Sequence, residues 1–320
     1  MMIWQIVEVT FAVSIVALLI LVMKAIFHDK LDARWHYLIW LVLAVRILIP
    51  VDCHWLKAPI SLFEAIPLAH WIQIWQYEAE TRNLSVSLPL LLTIYVTGAG
   101  FLFCYDVIGW ILMRIAIARG KEASEGIYNR VNKIAEKYGL KGFKRIRLLQ
   151  GRGYCVFGFW CPVLLLPTDI ERDAGKEEYI REEIVLHELF HMKYGDVLIN
   201  YILHLVRTLH WFNPLIWYVT AVIRNDCEAL CDQRVLEAGK RVLEKSVEEK
   251  QRDASQKAAQ KAYGQLLMAL AEGQALSHHK IGTSDMANSG RSMQIRIRRI
   301  VDFGKVPSGI GFAALCFGSL

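Results

Sequence analysis

His187-Glu188-Leu189-Phe190-His191 sets two imidazoles four residues apart, with a carboxylate beside the first. On a helix that spacing puts both rings on one face, at a separation that a single tetrahedral zinc ion bridges. Glu188 then reaches the water such a metal would activate, where a carboxylate serves as general base for hydrolysis. A catalytic zinc takes a third protein ligand and keeps one position open. Val197 stands where the H-E-x-x-H-x-x-G-x-x-H pattern would carry its third histidine, so that extension is absent. Glu228 is the better candidate, and Asp232 follows it four residues later on the same helical face, close enough to orient a liganding histidine.

Other reactive side chains have simpler readings. Tyr194, His210 and Asn225 read as structural rather than as oxyanion donors, His204 as a core histidine, and Trp211 to Pro214 as a packed helix break. Cys227 and Cys231 flank Glu228 and read as small buried residues rather than ligands of a soft metal. Ser277-His278-His279-Lys280 has the S-x-x-K spacing of penicillin-binding enzymes, but no S-D-N or K-T-G accompanies it and the match is chance.

The elements that must hold these residues follow from periodicity and breakers. Glu182 to Lys193 is helical in pattern, Val197 to Leu209 is an almost uniformly apolar helix, Asn213-Pro214 breaks it, and Leu215 to Leu236 is a further helix carrying Glu228 and Asp232. Upstream, Ser124 to Tyr138 is an amphipathic helix stopped by Gly139, and Ile146 to Leu149 and Val163 to Leu166 are strands of a small sheet. Lys240 to Lys261, rich in Glu, Lys, Gln and Ala, reads as a solvated helical face.

Composition places this machinery at a membrane. The 320 residues are 54% hydrophobic and 21% charged, with a mean hydropathy of +0.30, richer in apolar side chains than the roughly 45–50% of soluble domains. That excludes disorder. Seven scattered cysteines without a C-x-x-C pair exclude a disulfide scaffold or a zinc ribbon. Residues 3–27, 35–51 and 88–118 read as three transmembrane helices, and 306–320 as the start of a fourth. Arg46 and Asp106 fall inside the second and third; they would pair with each other, or Arg46 would snorkel. The net charge of +6 reads as membrane sidedness, with no direct nucleic-acid binding expected. Lys24, Lys30 and Arg34, then Arg114, Arg119 and Lys121, then Arg291, Arg296, Arg298, Arg299 and Lys305 belong on the cytoplasmic face, and the acidic loop 52–87 on the outside. The expected organisation is a membrane region 1–118 with an external N-terminus, and a cytoplasmic domain 119–305.

His187 to His191, His210-Trp211-Phe212-Asn213-Pro214-Leu215 and Glu228-Ala229-Leu230-Cys231-Asp232 together resemble the integral-membrane metallopeptidases of the BlaR/MecR type, signal transducers of inducible β-lactam resistance. The resemblance covers nearly the whole chain. It implies a multi-pass α-helical membrane protein with a cytoplasmic α+β, gluzincin-like zinc metallopeptidase domain. It also implies His187, His191 and Glu228 as zinc ligands, Glu188 as general base and Asp232 behind a ligand. The implied substrates are the chain itself and a cytoplasmic transcriptional repressor. Full-length β-lactam sensors of this kind carry an external penicillin-binding domain after the fourth span, and no such domain occurs up to Leu320. Self-cleavage is expected between Ser277 and Arg291, a small, polar, turn-rich stretch. Two alternatives are a housekeeping membrane protease of the CAAX prenyl endopeptidase or quality-control type, and a non-catalytic membrane receptor. The His210–Leu215 motif argues against the first and an intact Glu188 against the second.

Overall fold

Residues 2–27, 31–48, 87–150, 153–171, 180–246, 249–275 and 290–304 are described by a computed structural model. The expected external loop, the start of a fourth span and most of the Ser277–Arg291 segment lie outside the described residues, as does the side chain of Arg46. The chain divides into two compact units, one of Met1–Tyr105, Leu205–Ile223 and Val306–Leu320, the other of Asp106–His204 and Arg224–Lys305. The last turns of the third apolar stretch, from Asp106 on, fall in the second unit, and Leu205–Ile223 falls in the first.

In the first unit, α1 (Met2–Ile26) and α2 (Ala33–Leu48) pack together through Val13, Ala17, Ile20, Trp35 and Ile39. Asp32 caps α2 by accepting the Trp35 N–H at 3.1 Å, and Lys24 donates to the His36 carbonyl at 3.2 Å while lying over the Trp40 ring. Among the described residues, two helical stretches are long and apolar enough to cross a bilayer: Val9–Ile26, and Leu90–Arg119 within α3 (Ser87–Arg119). The described part of α2 has 16 residues, short of the roughly 20 a span needs.

The His210–Leu215 motif is a packing knot of this unit. His210 Nδ1 lies 2.9 Å from the Thr10 hydroxyl, the Trp211 indole donates to the Tyr95 carbonyl at 3.2 Å, and Tyr95 donates to the Leu209 carbonyl at 2.8 Å. Asn213 accepts the Leu215 N–H and donates to the Ser14 hydroxyl at 2.8 Å, capping the next helix, whose first residue is Pro214. Gly98 leaves room here, because a Cβ at that position would run into the Trp211 ring. These bonds draw Leu205–Ile223 into the first unit.

The second unit is built on a four-stranded sheet of order β1-β2-β4-β3, with β1 at Lys121–Glu122, β2 at Arg145–Leu149, β3 at Cys155–Phe157 and β4 at Val163–Pro167. β2 and β4 are parallel and the outer pairs antiparallel. The two apolar runs are strands, as expected, and they form the centre of the sheet; the short edges β1 and β3 lack a run long enough to be read. Leu164 and Leu166 of β4 face Ile127, Val131 and Ile134 of α4 (Glu125–Lys137) and Val185 and Leu189 of α5 (Glu182–Tyr194), whereas Val163 and Leu165 face Met113 and Ile117 of α3. Both faces are covered, which is why β4 is uniformly apolar rather than alternating.

Beyond α5 come α6 (Asp196–Leu209), α7 (Pro214–Ser246), α8 (Glu249–Ala275) and α9 (Gly290–Val301). Leu186 and Phe190 on the other side of α5 meet Val235 and Leu236 of α7, Tyr263 and Leu267 of α8, and Ile300 of α9. α5 is thus wedged between a sheet and a helical cluster and buries nearly its whole circumference. α7 runs a further ten residues past its expected end at Leu236. His204 corrects a second expectation: it is half-exposed rather than a core residue, and its Nδ1 lies 3.2 Å from the Asp106 carboxylate of α3.

Candidate metal centre

α5 delivers His187, Glu188 and His191 from its buried stretch, and α7 delivers Glu228 opposite them. His187 Nε2 lies 3.0 Å from His191 Nε2 and 3.3 Å from Glu228 Oε2, and His191 Nε2 lies 3.5 Å from Glu228 Oε1. Donor atoms bound at 2.0–2.1 Å to a tetrahedral zinc sit about 3.3 Å apart, so these separations suit one small cation at their centre. The Glu228 side chain is 30% exposed, whereas the histidines are nearly closed off, so the cluster opens on the Glu228 side.

The far nitrogen of each ring is tied to a carboxylate. His187 Nδ1 lies 3.2 Å from Asp232 Oδ1, and His191 Nδ1 lies 2.8 Å from Asp196 Oδ2. An ionised carboxylate only accepts, so each Nδ1 carries a proton, and in the neutral ring each Nε2 turns its lone pair inward. Two lone pairs facing each other across 3.0 Å repel unless a cation lies between them. Asp232 thus lies against the far nitrogen of His187. Asp196 is the counterpart the sequence reading lacks, brought round by Gly195, whose φ of 71° ends α5 in a left-handed turn one residue earlier.

Each carboxylate is itself backed by an arginine. Arg296 of α9 forms a buried bidentate pair with Asp232 at 2.7 and 2.8 Å and reaches Glu228 at 3.3 Å. Arg234 of α7 lies over the Tyr194 ring, with its guanidinium 3.9 Å from Asp196. Tyr263 of α8 donates to Asp232 at 2.7 Å, with its hydroxyl 3.2 Å from His187 Nδ1. Tyr194 therefore packs under Arg234. Cys227 and Cys231 are buried as expected. Cys231 donates to the His187 carbonyl at 3.2 Å, yet its sulfur also falls in one group with His187 and His191 that could hold a metal, and Cys227 in another with His191 and Asp196. Glu228 brings a carboxylate oxygen to each of the two Nε2 atoms.

The neighbouring charges shift the titratable groups of the cluster. Burial pushes the Glu228 carboxyl up, but His191, His187 and Arg296 outweigh it and hold its pKa at about 2. Burial acts likewise on Asp232 and is overcome by Arg296, leaving the group well below the usual carboxylate range. For the two imidazoles burial favours the neutral form, but Cys231 and the surrounding oxygens reverse it and hold both above the ordinary histidine value. Glu188 goes the other way: burial lifts its pKa, so it accepts a proton more readily than a surface glutamate.

Residues 4–300 match the family described as BlaR1 peptidase M56. The chain is 30% identical over 147 residues to the regulatory protein BlaR1 of Bacillus licheniformis, a stretch that is 46% of this chain and 21% of that protein. It is 36% identical over 81 residues to the methicillin resistance mecR1 proteins of Staphylococcus aureus and Staphylococcus epidermidis, 25% of this chain and 14% of theirs. The matched stretches thus span about a fifth or less of these relatives' length. The family is the one that the three motifs resemble, not that of prenyl endopeptidases, and its match extends across both units: the chain belongs to the BlaR1 peptidase M56 family.

Proposed function

We propose that this chain is a membrane-bound, zinc-dependent endopeptidase of a transmembrane signalling pathway, with His187, His191 and Glu228 as metal ligands, Glu188 as general base and Asp232 orienting His187. The observation that carries this reading is the meeting of two inward-facing Nε2 atoms and a carboxylate within 3.0–3.5 Å, beside a buried glutamate. Zinc bound there supplies Lewis acidity toward water and toward the carbonyl oxygen of the scissile peptide. Glu188 takes a proton from the attacking water as its oxygen bonds to the carbonyl carbon, then delivers that proton to the nitrogen as the C–N bond breaks. Asp232 and Asp196 hold the imidazoles in the tautomer and direction this requires. β3 is an edge strand among the described residues and touches α5, so an extended substrate can add along its outer side.

Family membership and the names of the relatives support a protein substrate in regulation. The substrates on this reading are the chain itself, cut between Ser277 and Arg291, and a cytoplasmic repressor. The two apolar stretches, Val9–Ile26 and Leu90–Arg119, support the membrane placement. The test is a comparison of wild type, His187→Ala and Glu188→Ala in cells and as purified protein. Wild type should hold one zinc per chain and yield a fragment ending between 277 and 291. His187→Ala should lose the metal; Glu188→Ala should keep it and lose cleavage by about 10²–10⁴-fold. Unchanged zinc in His187→Ala would overturn the ligand set, and equal fragments in wild type and Glu188→Ala would assign the cut to another protease.

A further inference from the structure

We propose that the second unit has a hydrocarbon-facing surface of its own, formed by the end of α3, the β3–β4 turn and the first half of α6, so that the helix bearing the metal centre is held against the bilayer. This rests on the reading of α3 as a membrane span.

A turn between antiparallel strands in water ordinarily carries polar residues. The β3–β4 turn instead reads Gly158-Phe159-Trp160-Cys161, with Gly158 at φ 88°. Trp160 is 91% exposed, and Phe159 stands edge-on to it at 5.4 Å. The turn lies beside α3, because Phe157, the last residue of β3, has its ring 6.5 Å from that of Trp110. Trp110 belongs to the apolar stretch Leu90–Arg119, and around it Val107, Ile108, Ile111, Leu112 and Ile115 are exposed.

α6 reaches the same level of α3. His204 meets Asp106, four residues before Trp110 and so about one helical turn further into the apolar stretch. On α6, Leu198, Tyr201 and Ile202 recur at the three- and four-residue spacing of one face and are exposed, whereas Asp196 and Leu203 are buried. The junction of α5 and α6 closes the patch: a Cβ added at Gly195 would lie 3.7 Å from the Phe159 ring. Three elements thus bring exposed apolar side chains together, whereas water-facing surfaces ordinarily show them scattered singly.

Lipid is its occupant because the face is continuous with the span. α3 passes through it, and the basic residues Arg114, Arg119 and Lys121 stand at its end, where phosphate headgroups would lie. Arg114 lies over the Trp110 ring at 5.4 Å, with an apolar stem along the helix and a charged end toward water. Tryptophan at a turn tip suits the same interfacial zone.

The test is photo-crosslinking of the full chain in vesicles of phosphatidylcholine and phosphatidylglycerol. Benzoylphenylalanine is placed, one position at a time, at 108 on α3, at 160 and 202 on the proposed face, and at 136 on the exposed side of α4. Mass spectrometry should find acyl-chain adducts at 108, 160 and 202, and at most a tenth as much at 136. Adducts at 108 without adducts at 160 and 202 would overturn this proposal and leave the span standing. Their absence at all four positions would overturn the span as well. Crosslinks at 160 and 202 to a second copy of the chain would make the face a dimer contact and overturn lipid as its occupant.

Discussion

Asp232 and Asp196 do for the two imidazoles what neither histidine does alone, since a free imidazole exchanges tautomers and turns about its side-chain bonds. Each is held as a chain of three: His187–Asp232–Arg296 and His191–Asp196–Arg234. Partners of this kind are worth about 10–100-fold in metal affinity. Asp196→Asn and Asp232→Asn should therefore each weaken zinc binding by that factor in a competition titration with a chromogenic chelator. Asp232→Asn should also destabilise the fold by about 3–5 kcal/mol, because the buried Arg296 loses the nearer of its two counter-charges and keeps only Glu228. Adding Arg296→Met should restore stability and leave zinc binding weak; recovery of both would show that Asp232 acts only as a packing partner. The inner residues were legible because H-E-x-x-H is a local spacing. Arg296 was not, because in sequence it sits in a basic run whose simplest reading is membrane sidedness. Its one sign is that it shares the buried face of α9 with Ile300.

At the scale of single elements, α5 is positioned by its two ends. Glu182 in its first turn accepts from Lys137 at 2.7 Å and Tyr138 at 2.6 Å. Burial pushes this carboxyl up, but those two donors outweigh it, and the pKa is lowered. A depressed folded-state pKa stabilises above the unfolded value of about 4.3 and is lost as pH falls through the folded value. Glu182→Gln should then cost about 0.5–1 kcal/mol at pH 7 and progressively less below pH 4, as read by chemical denaturation at both pH values. At the other end, Gly195→Ala forces a side chain into the left-handed region and should cost about 1–2 kcal/mol, displacing Asp196 and weakening metal binding as well. Asn213→Ala removes the cap of α7, at about 1 kcal/mol in a thermal melt, and should leave zinc stoichiometry at wild type. The helices were legible from period and breakers. The edges β1 and β3 were not, because strands of two and three residues carry no pattern of their own; they form because β2 and β4 offer them a ladder.

Over the whole molecule, the basic clusters predict which side the second unit faces, although some of their charges have local partners. Lys24 binds the His36 carbonyl, Arg296 is committed to Asp232, and Arg299 lies 3.6 Å from Asp226. The remaining clusters still predict that a cysteine reporter in the 52–87 loop is labelled from outside intact cells and one near Lys250 is not; the reverse pattern would place the metal centre outside and remove a cytoplasmic repressor from its reach. Arg296 gives the chain a further property. It reaches Asp232 from α9, whereas the two histidines, Glu228, Asp232 and Tyr263 all precede the stretch where self-cleavage is proposed. A cut between 277 and 291 would leave every metal-facing side chain in one fragment and the arginine that steadies them in the other. The first bond broken would turn a covalent buttress into a dissociable one, and each molecule would carry a record of whether it had already fired, written in how firmly it keeps its metal.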